Sequence, residues 1–217
     1  MSMPSLFDLP FDDAPNLKLE RKHARAFDGL LAGVDEAGRG PWAGPVVTAG
    51  VILDYRRVPA GLNDSKKLSE DRREALFEEI LRSATVSIAS ASPATIDRIN
   101  IRAATLGAMR RAVEGLALTP RMVIVDGRDV PPGLAMAGQN LIKGDGRCLA
   151  VAAASIIAKV TRDRMMMQLE ETCAGYGFAQ HKGYGVPAHA EALTRLGPCP
   201  HHRLSFRPVR LAAGEAD

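Results

Sequence analysis

The segment Gly33-Val34-Asp35-Glu36-Ala37-Gly38-Arg39-Gly40-Pro41 constrains the fold more than any other stretch of this chain. A short apolar run, Leu31, Ala32 and Val34, leads straight into two adjacent carboxylates, and a glycine-flanked arginine follows. Neighbouring side chains on a strand point to opposite faces, so Asp35 and Glu36 cannot both enter one core. Acids at the end of an apolar strand are costly unless something cationic compensates them, and a divalent metal ion does so economically. Gly38 and Gly40 let backbone approach a ligand closely. Metal-holding carboxylates beside open backbone and an arginine suit a site that grips a phosphodiester and cuts it.

The 217 residues fit one domain with a sizeable core. Hydrophobic and charged residues, at 46% and 24%, stand in the ratio of an ordinary soluble globular protein. A net charge of +3 permits a polyanionic partner without requiring one. Cys148, Cys173 and Cys199 are odd in number and scattered, which argues against a disulfide framework or structural zinc and for a reducing, cytoplasmic setting. The nearly apolar run from Leu149 to Ala158 is too short to span a membrane, and Asp8, Asp12 and Asp13 occupy the N-terminus where a secretory signal would need apolar residues. No membrane association is expected.

Residues 1–28, rich in proline and charge, are expected to form a flexible lead-in to a domain over 29–210, with a tail at 211–217. Within the lead-in, Ser5-Leu6-Phe7-Asp8 is read as part of a disordered tail, with contact to a replication clamp as the alternative. From Leu30 an α/β pattern begins. Strands are predicted over Leu30–Glu36, Val46–Leu53, Thr85–Ala91, Arg121–Val125 and Asn140–Lys143. The tight link between the first two predicts antiparallel neighbours. Ser69 is a good N-cap for a helix whose apolar positions Leu76, Phe77, Ile80, Leu81 and Ala84 fall on one face. One helix is predicted through Ile96, Ile99, Ala103, Leu106 and Val113, a long one over Val151–Glu171, and a short one over Ala188–Leu196. The result is a single α/β layer architecture.

Two further acids sit where strands end: Asp126 after Val123-Ile124-Val125, and Asp145 within Lys143-Gly144-Asp145-Gly146. Ligands of open α/β sheets gather at strand ends, so Asp35, Glu36, Asp126 and Asp145 are candidates to converge. Several carboxylates around one point suit Mg²⁺ or Mn²⁺ rather than zinc. Two such ions can activate a water and stabilise the leaving oxygen of an in-line displacement at phosphorus. Taken singly, each acid also fits a solvated strand-end residue. Ser65, Lys66 and Lys67 form a loop that either meets phosphate or simply flanks a helix. Tyr184, between glycines in His181-Lys182-Gly183-Tyr184-Gly185, either stacks on a sugar or base or fills space. His189, His201 and His202 lack zinc-ligand spacing and are assigned no metal, while Asp163 is read as part of an internal ion pair.

These pieces resemble the bacterial type 2 ribonuclease H family, ribonuclease HII. The matching blocks are Gly33–Pro41 with Ala43-Gly44-Pro45-Val46-Val47, Asp64-Ser65-Lys66-Lys67-Leu68, Val125-Asp126-Gly127, Lys143-Gly144-Asp145, Ala154–Arg164, His181–Gly185 and Ser205-Phe206-Arg207-Pro208-Val209. They run in the family's order across residues 30–210. The resemblance implies a ribonuclease H-like mixed five-stranded sheet flanked by helices, with a helical C-terminal region. It implies an endonuclease that cuts the RNA strand of RNA–DNA hybrids and nicks 5′ of single ribonucleotides in duplex DNA; separately, the chain is expected to be a monomer. By the same resemblance, Asp35, Glu36, Asp126 and Asp145 are the metal-binding catalytic carboxylates, served by two Mg²⁺ or Mn²⁺ ions. Gly38, Arg39 and Gly40 present backbone to the ribose 2′-hydroxyl and a flanking phosphate, Tyr184 stacks on the adjoining sugar, and Lys66 with Ser65 holds a phosphate. Two features depart from the family's form: Trp42 is bulkier than the aliphatic residue expected there, and the loop Gly127-Arg128-Asp129-Val130-Pro131 is unusual. Alternatives are another metal-dependent nuclease or strand-transfer enzyme of the same fold, the sister ribonuclease HIII with its extra N-terminal domain, and a basic binding module. The last leaves the clustered acids without a purpose.

Overall fold

In the computed structural model, residues 14–18, 20 and 30–214 are described. The fragment Ser5–Asp8 lies outside them, as does most of the lead-in. Five strands, β1 (Leu31–Ala37), β2 (Val46–Leu53), β3 (Ala84–Ala91), β4 (Met122–Asp126) and β5 (Ala137–Leu141), form one mixed sheet in the order β3-β2-β1-β4-β5. The first three strands are antiparallel to one another, while β4 and β5 run parallel to β1. Seven helices accompany them among the described residues: α1 (Glu70–Ser83), α2 (Pro93–Ile99), α3 (Ile101–Glu114), α4 (Leu149–Thr172), α5 (Phe178–His181), α6 (Pro187–Leu196) and α7 (Arg207–Ala212).

Strand alternation sorts β1 between two cores. Leu31 packs with α4 and with Leu76, Phe77 and Ile80 of α1, whereas Ala32 and Val34 face Met109 and Val113 of α3. Gly33 sits where α4 comes closest. A Cβ there would lie 2.1 Å from the Ala150 carbonyl carbon, so only glycine lets helix backbone rest on the central strand. Gly33→Ala is therefore expected to destabilise the domain by about 2–3 kcal/mol, the upper range of overpacking, as read from its urea midpoint. The first ten residues of α4 are all buried, so the apolar run from Leu149 to Ala158 forms the core helix. Among the described residues no helix is long and apolar enough to cross a membrane.

Several boundaries differ from the sequence reading. The helix predicted through Ile96–Val113 is two helices, because Asn100 takes φ 67° and its side chain accepts the Ala103 N–H, capping α3 anew. The fifth strand lies at Ala137–Leu141 rather than Asn140–Lys143. Its small residues pair with β4 and carry little strand signal, while Lys143 adopts a left-handed conformation that stops the strand. Glu20, expected in the flexible lead-in, is buried, and its carboxylate accepts the Ala150 N–H at the start of α4. At the other end α7 runs to Ala212, past the expected boundary at 210. Ser69 does cap α1, accepting from the Arg72 N–H. The pair expected at Asp163 also forms, but its partner is Lys159, one helical turn back, at 2.8 Å. The flanking arginines point elsewhere: Arg162 to backbone and Arg164 to Glu74.

Candidate active site

Parallel pairing of β1 with β4 brings two acids side by side. The pair Val34–Val125 is the last in register, and Asp35 and Asp126 are the next residue on each strand. By alternation both lie on the α4 face, while Glu36 turns toward α3. Asp145 arrives on the short 3₁₀ helix Gly144–Gly146 that follows β5. That turn is pinned to β4: the Gly144 N–H donates to Asp126 Oδ1 at 2.7 Å.

Asp35 is almost fully buried, and its Oδ1 accepts the Glu36 N–H at 2.7 Å. Burial raises its pKa well above the carboxylate range, and Glu36, Asp126 and Asp145 push it further. Burial also raises Glu36, with Arg39 opposing and Asp126 adding to the effect. The same holds for Asp145, where Asp126 and Asp64 reinforce burial and Lys66 opposes it. For Asp126 burial outweighs the Gly144 N–H and Lys66, which favour its charge. Four carboxylates thus carry mutually unfavourable negative charge in one partly desolvated place. Two cations stand at its edges: Arg39 lies 3.5 Å from Glu36, and Lys66 Nζ lies 3.5 Å from Asp145. In each pair the cation is exposed while the carboxylate is largely buried, and separations of 3.5 Å leave both contacts loose. An all-oxygen set of mutually repelling acids fits a hard divalent cation. Among the described residues no three acid, histidine or cysteine side chains already stand in ligating positions around one point. Like-charged carboxylates hold apart unless a cation draws them together.

The loop after β1 is anchored by residues the sequence reading did not assign. Arg203, fully buried, donates to the carbonyls of Gly38 at 2.5 Å, Arg39 at 2.9 Å and Gly44 at 2.9 Å. Arg162, also buried, donates to Pro45 and Ala43. Gly38 has φ 95°, and a Cβ there would fall 2.0 Å from Arg162 Nε, so glycine is required on both counts. The Trp42 N–H donates to the Gly183 carbonyl, tying this loop to the segment carrying Tyr184. Trp42 itself packs against Gly185, where no Cβ would fit. Gly40 faces the Tyr184 ring, which is 44% exposed and so open to stacking. Behind it, His189 Nδ1 donates to the Tyr184 carbonyl and its Nε2 lies 3.0 Å from His202 Nε2, so these histidines support the loop.

Two groupings result. Asp35, Glu36, Asp126 and Asp145 gather with Lys66, and Gly38, Arg39 and Gly40 gather with Tyr184. Ser65 is the exception in orientation: it is buried, and its hydroxyl is paired with Ser155 at 2.8 Å, leaving Lys66 as the exposed member of that turn. No sequence signal marked Arg203, because its partners are backbone carbonyls some 160 residues away.

The ribonuclease HII family model matches residues 32–209. A ribonuclease HII from Rhizobium leguminosarum bv. trifolii is 57% identical over 196 residues, covering 90% of this chain and 86% of that protein. One from Rhizobium meliloti is 58% identical, covering 90% and 91%. Among solved structures, ribonuclease H2 from Pyrococcus horikoshii superposes with a TM-score of 0.71 at 28% identity, covering 85% of this chain and 97% of that one. The ribonuclease HII of Archaeoglobus fulgidus, solved in complex with PCNA, gives 0.71 at 32% identity over 82% and 95%. With a mixed sheet of the same architecture and matching sequence over nearly its whole described length, this chain belongs to the ribonuclease HII family.

Proposed function

We propose that this endoribonuclease cleaves the RNA strand of RNA–DNA hybrids and also nicks 5′ of single ribonucleotides embedded in duplex DNA. The observation that carries the reading is the pairing of Asp35 and Asp126 at adjacent strand ends, with Glu36 and Asp145 alongside, in a site whose acids raise one another's pKa. Asp35, Glu36 and Asp126 would hold two divalent ions, Mg²⁺ or Mn²⁺, with Asp145 completing the set. Bound there, such ions supply an activated water and charge stabilisation for the departing 3′-oxygen. The chain's own residues do the rest. The buried arginine clamp keeps the Gly38-Arg39-Gly40 backbone rigid, which suits it to read the 2′-hydroxyl, the group separating RNA from DNA. Tyr184, beside Gly40, is placed to stack on the neighbouring sugar. Lys66 holds a phosphate from a turn that Ser65 fixes through Ser155. Holding the strand in line in this way supplies a large share of the rate in phosphoryl-transfer sites. Hydrolysis leaves a 5′-phosphate on the downstream fragment and a 3′-hydroxyl on the upstream one.

Cleavage-site mapping tests this. A duplex with one embedded ribonucleotide is expected to be nicked at its 5′ side only with divalent ion present, and an all-DNA duplex to stay intact. Cutting of the all-DNA duplex at a comparable rate would overturn the reading in favour of a DNA nuclease of the same fold. The Archaeoglobus relative's complex with PCNA supports a clamp contact for this chain as well; Ser5–Asp8, outside the described residues, is the segment proposed to make it.

A further inference from the structure

The loop Gly127-Arg128-Asp129 turns directly off the end of β4, and it is one of the places where the sequence departs from the family's form. Three contacts fix it. The Gly127 N–H donates to the Leu141 carbonyl at 3.1 Å, Asn140 Nδ2 donates to the Gly127 carbonyl at 3.4 Å, and Asp129 makes a two-pronged pair with Arg102 of α3 at 2.7 and 3.0 Å. The acid next to Arg128 is therefore already neutralised from α3. Arg128 itself is exposed and enters no ion pair or side-chain hydrogen bond among the described residues. Arg39 and Lys66, by contrast, are drawn to Glu36 and Asp145.

Arg128 also borders both hollows that flank the carboxylates. The smaller lies between Glu36, Asp126 and α3, with Arg39 on its rim. The larger, about 560 Å³, is bounded by Asp126 and Asp145 and by the cations Lys66, Lys67, Lys143 and Arg147. A polyanionic strand lying across both must pass over Asp126, and Arg128 is the cationic side chain that lines both hollows at that crossing.

We infer that Arg128 grips a backbone phosphate of the cleaved strand, adjacent to the scissile one, as the strand passes from one hollow to the other. This rests on the function proposed above and adds a substrate-binding residue to it. The guanidinium fork suits a phosphate, and its position one residue beyond Gly127 sets the strand's register against Asp126 without contributing a ligand.

Steady-state cleavage of an RNA–DNA hybrid by the full chain with Mg²⁺, at several salt concentrations, tests the inference. Arg128→Gln is expected to raise KM about fivefold with kcat within about twofold of the parent, and to make the salt dependence of kcat/KM shallower by about one. Arg128→Lys, which keeps the charge, is expected to recover most of the loss. An unchanged melting temperature shows that the loop still folds. Unchanged KM and salt slope would overturn the inference, and so would a fall in kcat at constant KM, which would assign the loop to supporting Asp126 alone. A parent chain that fails to cut the hybrid overturns the proposed function itself, a result distinct from either.

Discussion

Asp126→Asn is expected to lower divalent-dependent cleavage of a hybrid by at least about a thousandfold while leaving the fold intact. Asparagine keeps the oxygen that accepts the Gly144 N–H, so the turn carrying Asp145 stays in place. What disappears is one negative charge, and with it much of the attraction for a divalent cation. The same charge raises the pKa of Asp35, Glu36 and Asp145. A carboxyl with a raised folded-state pKa binds its proton more tightly when folded. The stability it contributes is therefore lost as pH climbs from below the ordinary values, 3.8 for Asp and 4.5 for Glu, through the raised ones. At neutral pH in a chelating buffer, Asp126→Asn should thus melt at or above the parent temperature, and the difference should vanish near pH 3. Adding Mg²⁺ or Mn²⁺ should raise the parent's melting temperature and the variant's by much less. Single-turnover cleavage and thermal melting read the two halves separately. Near-parental turnover would remove Asp126 from the catalytic set.

Much of this arrangement was legible in the residues because it is local. Alternation along β1 forces Asp35 and Glu36 to opposite faces, and the structure sets them toward α4 and α3 respectively. Hydrophobic periodicity located α1 and most of the sheet, since burial on one face needs that spacing whatever the partner, while α4 stood out as a continuous apolar run. Two kinds of feature escaped. Asn100 ends one helix and starts another within a single apolar stripe, so periodicity runs through the break. The short helices α5 and α7 have four and six residues, too few for a pattern to emerge. The site's acids stood out because charge at a strand end is anomalous. Its support did not, because a buried arginine bonded to carbonyls leaves no mark on the sequence around it.

Arg203 is where that hidden support becomes measurable. Arg203→Met keeps much of the apolar stem but removes every donor to the Gly38, Arg39 and Gly44 carbonyls. The contacts to Gly38 and Gly44 are buried where water cannot readily replace the guanidinium, so the loss is expected to reach about 4 kcal/mol. For a chain of this length that corresponds to a melting temperature lower by about 10 °C. Burial and the nearby Arg162 both disfavour the charge on Arg203, yet Asp97 and the face of Phe206, 5.2 Å from the guanidinium, favour it. Removing the charge therefore returns some desolvation energy, which keeps the figure from being larger. Lysine is not a remedy, because one ammonium cannot reach three carbonyls that a planar fork spans. Arg203→Lys should recover less than half of the lost stability. At a temperature where either variant is still folded, cleavage beside a single embedded ribonucleotide should fall about tenfold or more, because the Gly38–Gly40 backbone is no longer held for the 2′-hydroxyl. Parental melting and parental cleavage in Arg203→Met would show that the loop holds its shape without the clamp, and the rigidity assigned to it here would have to come from Arg162 alone.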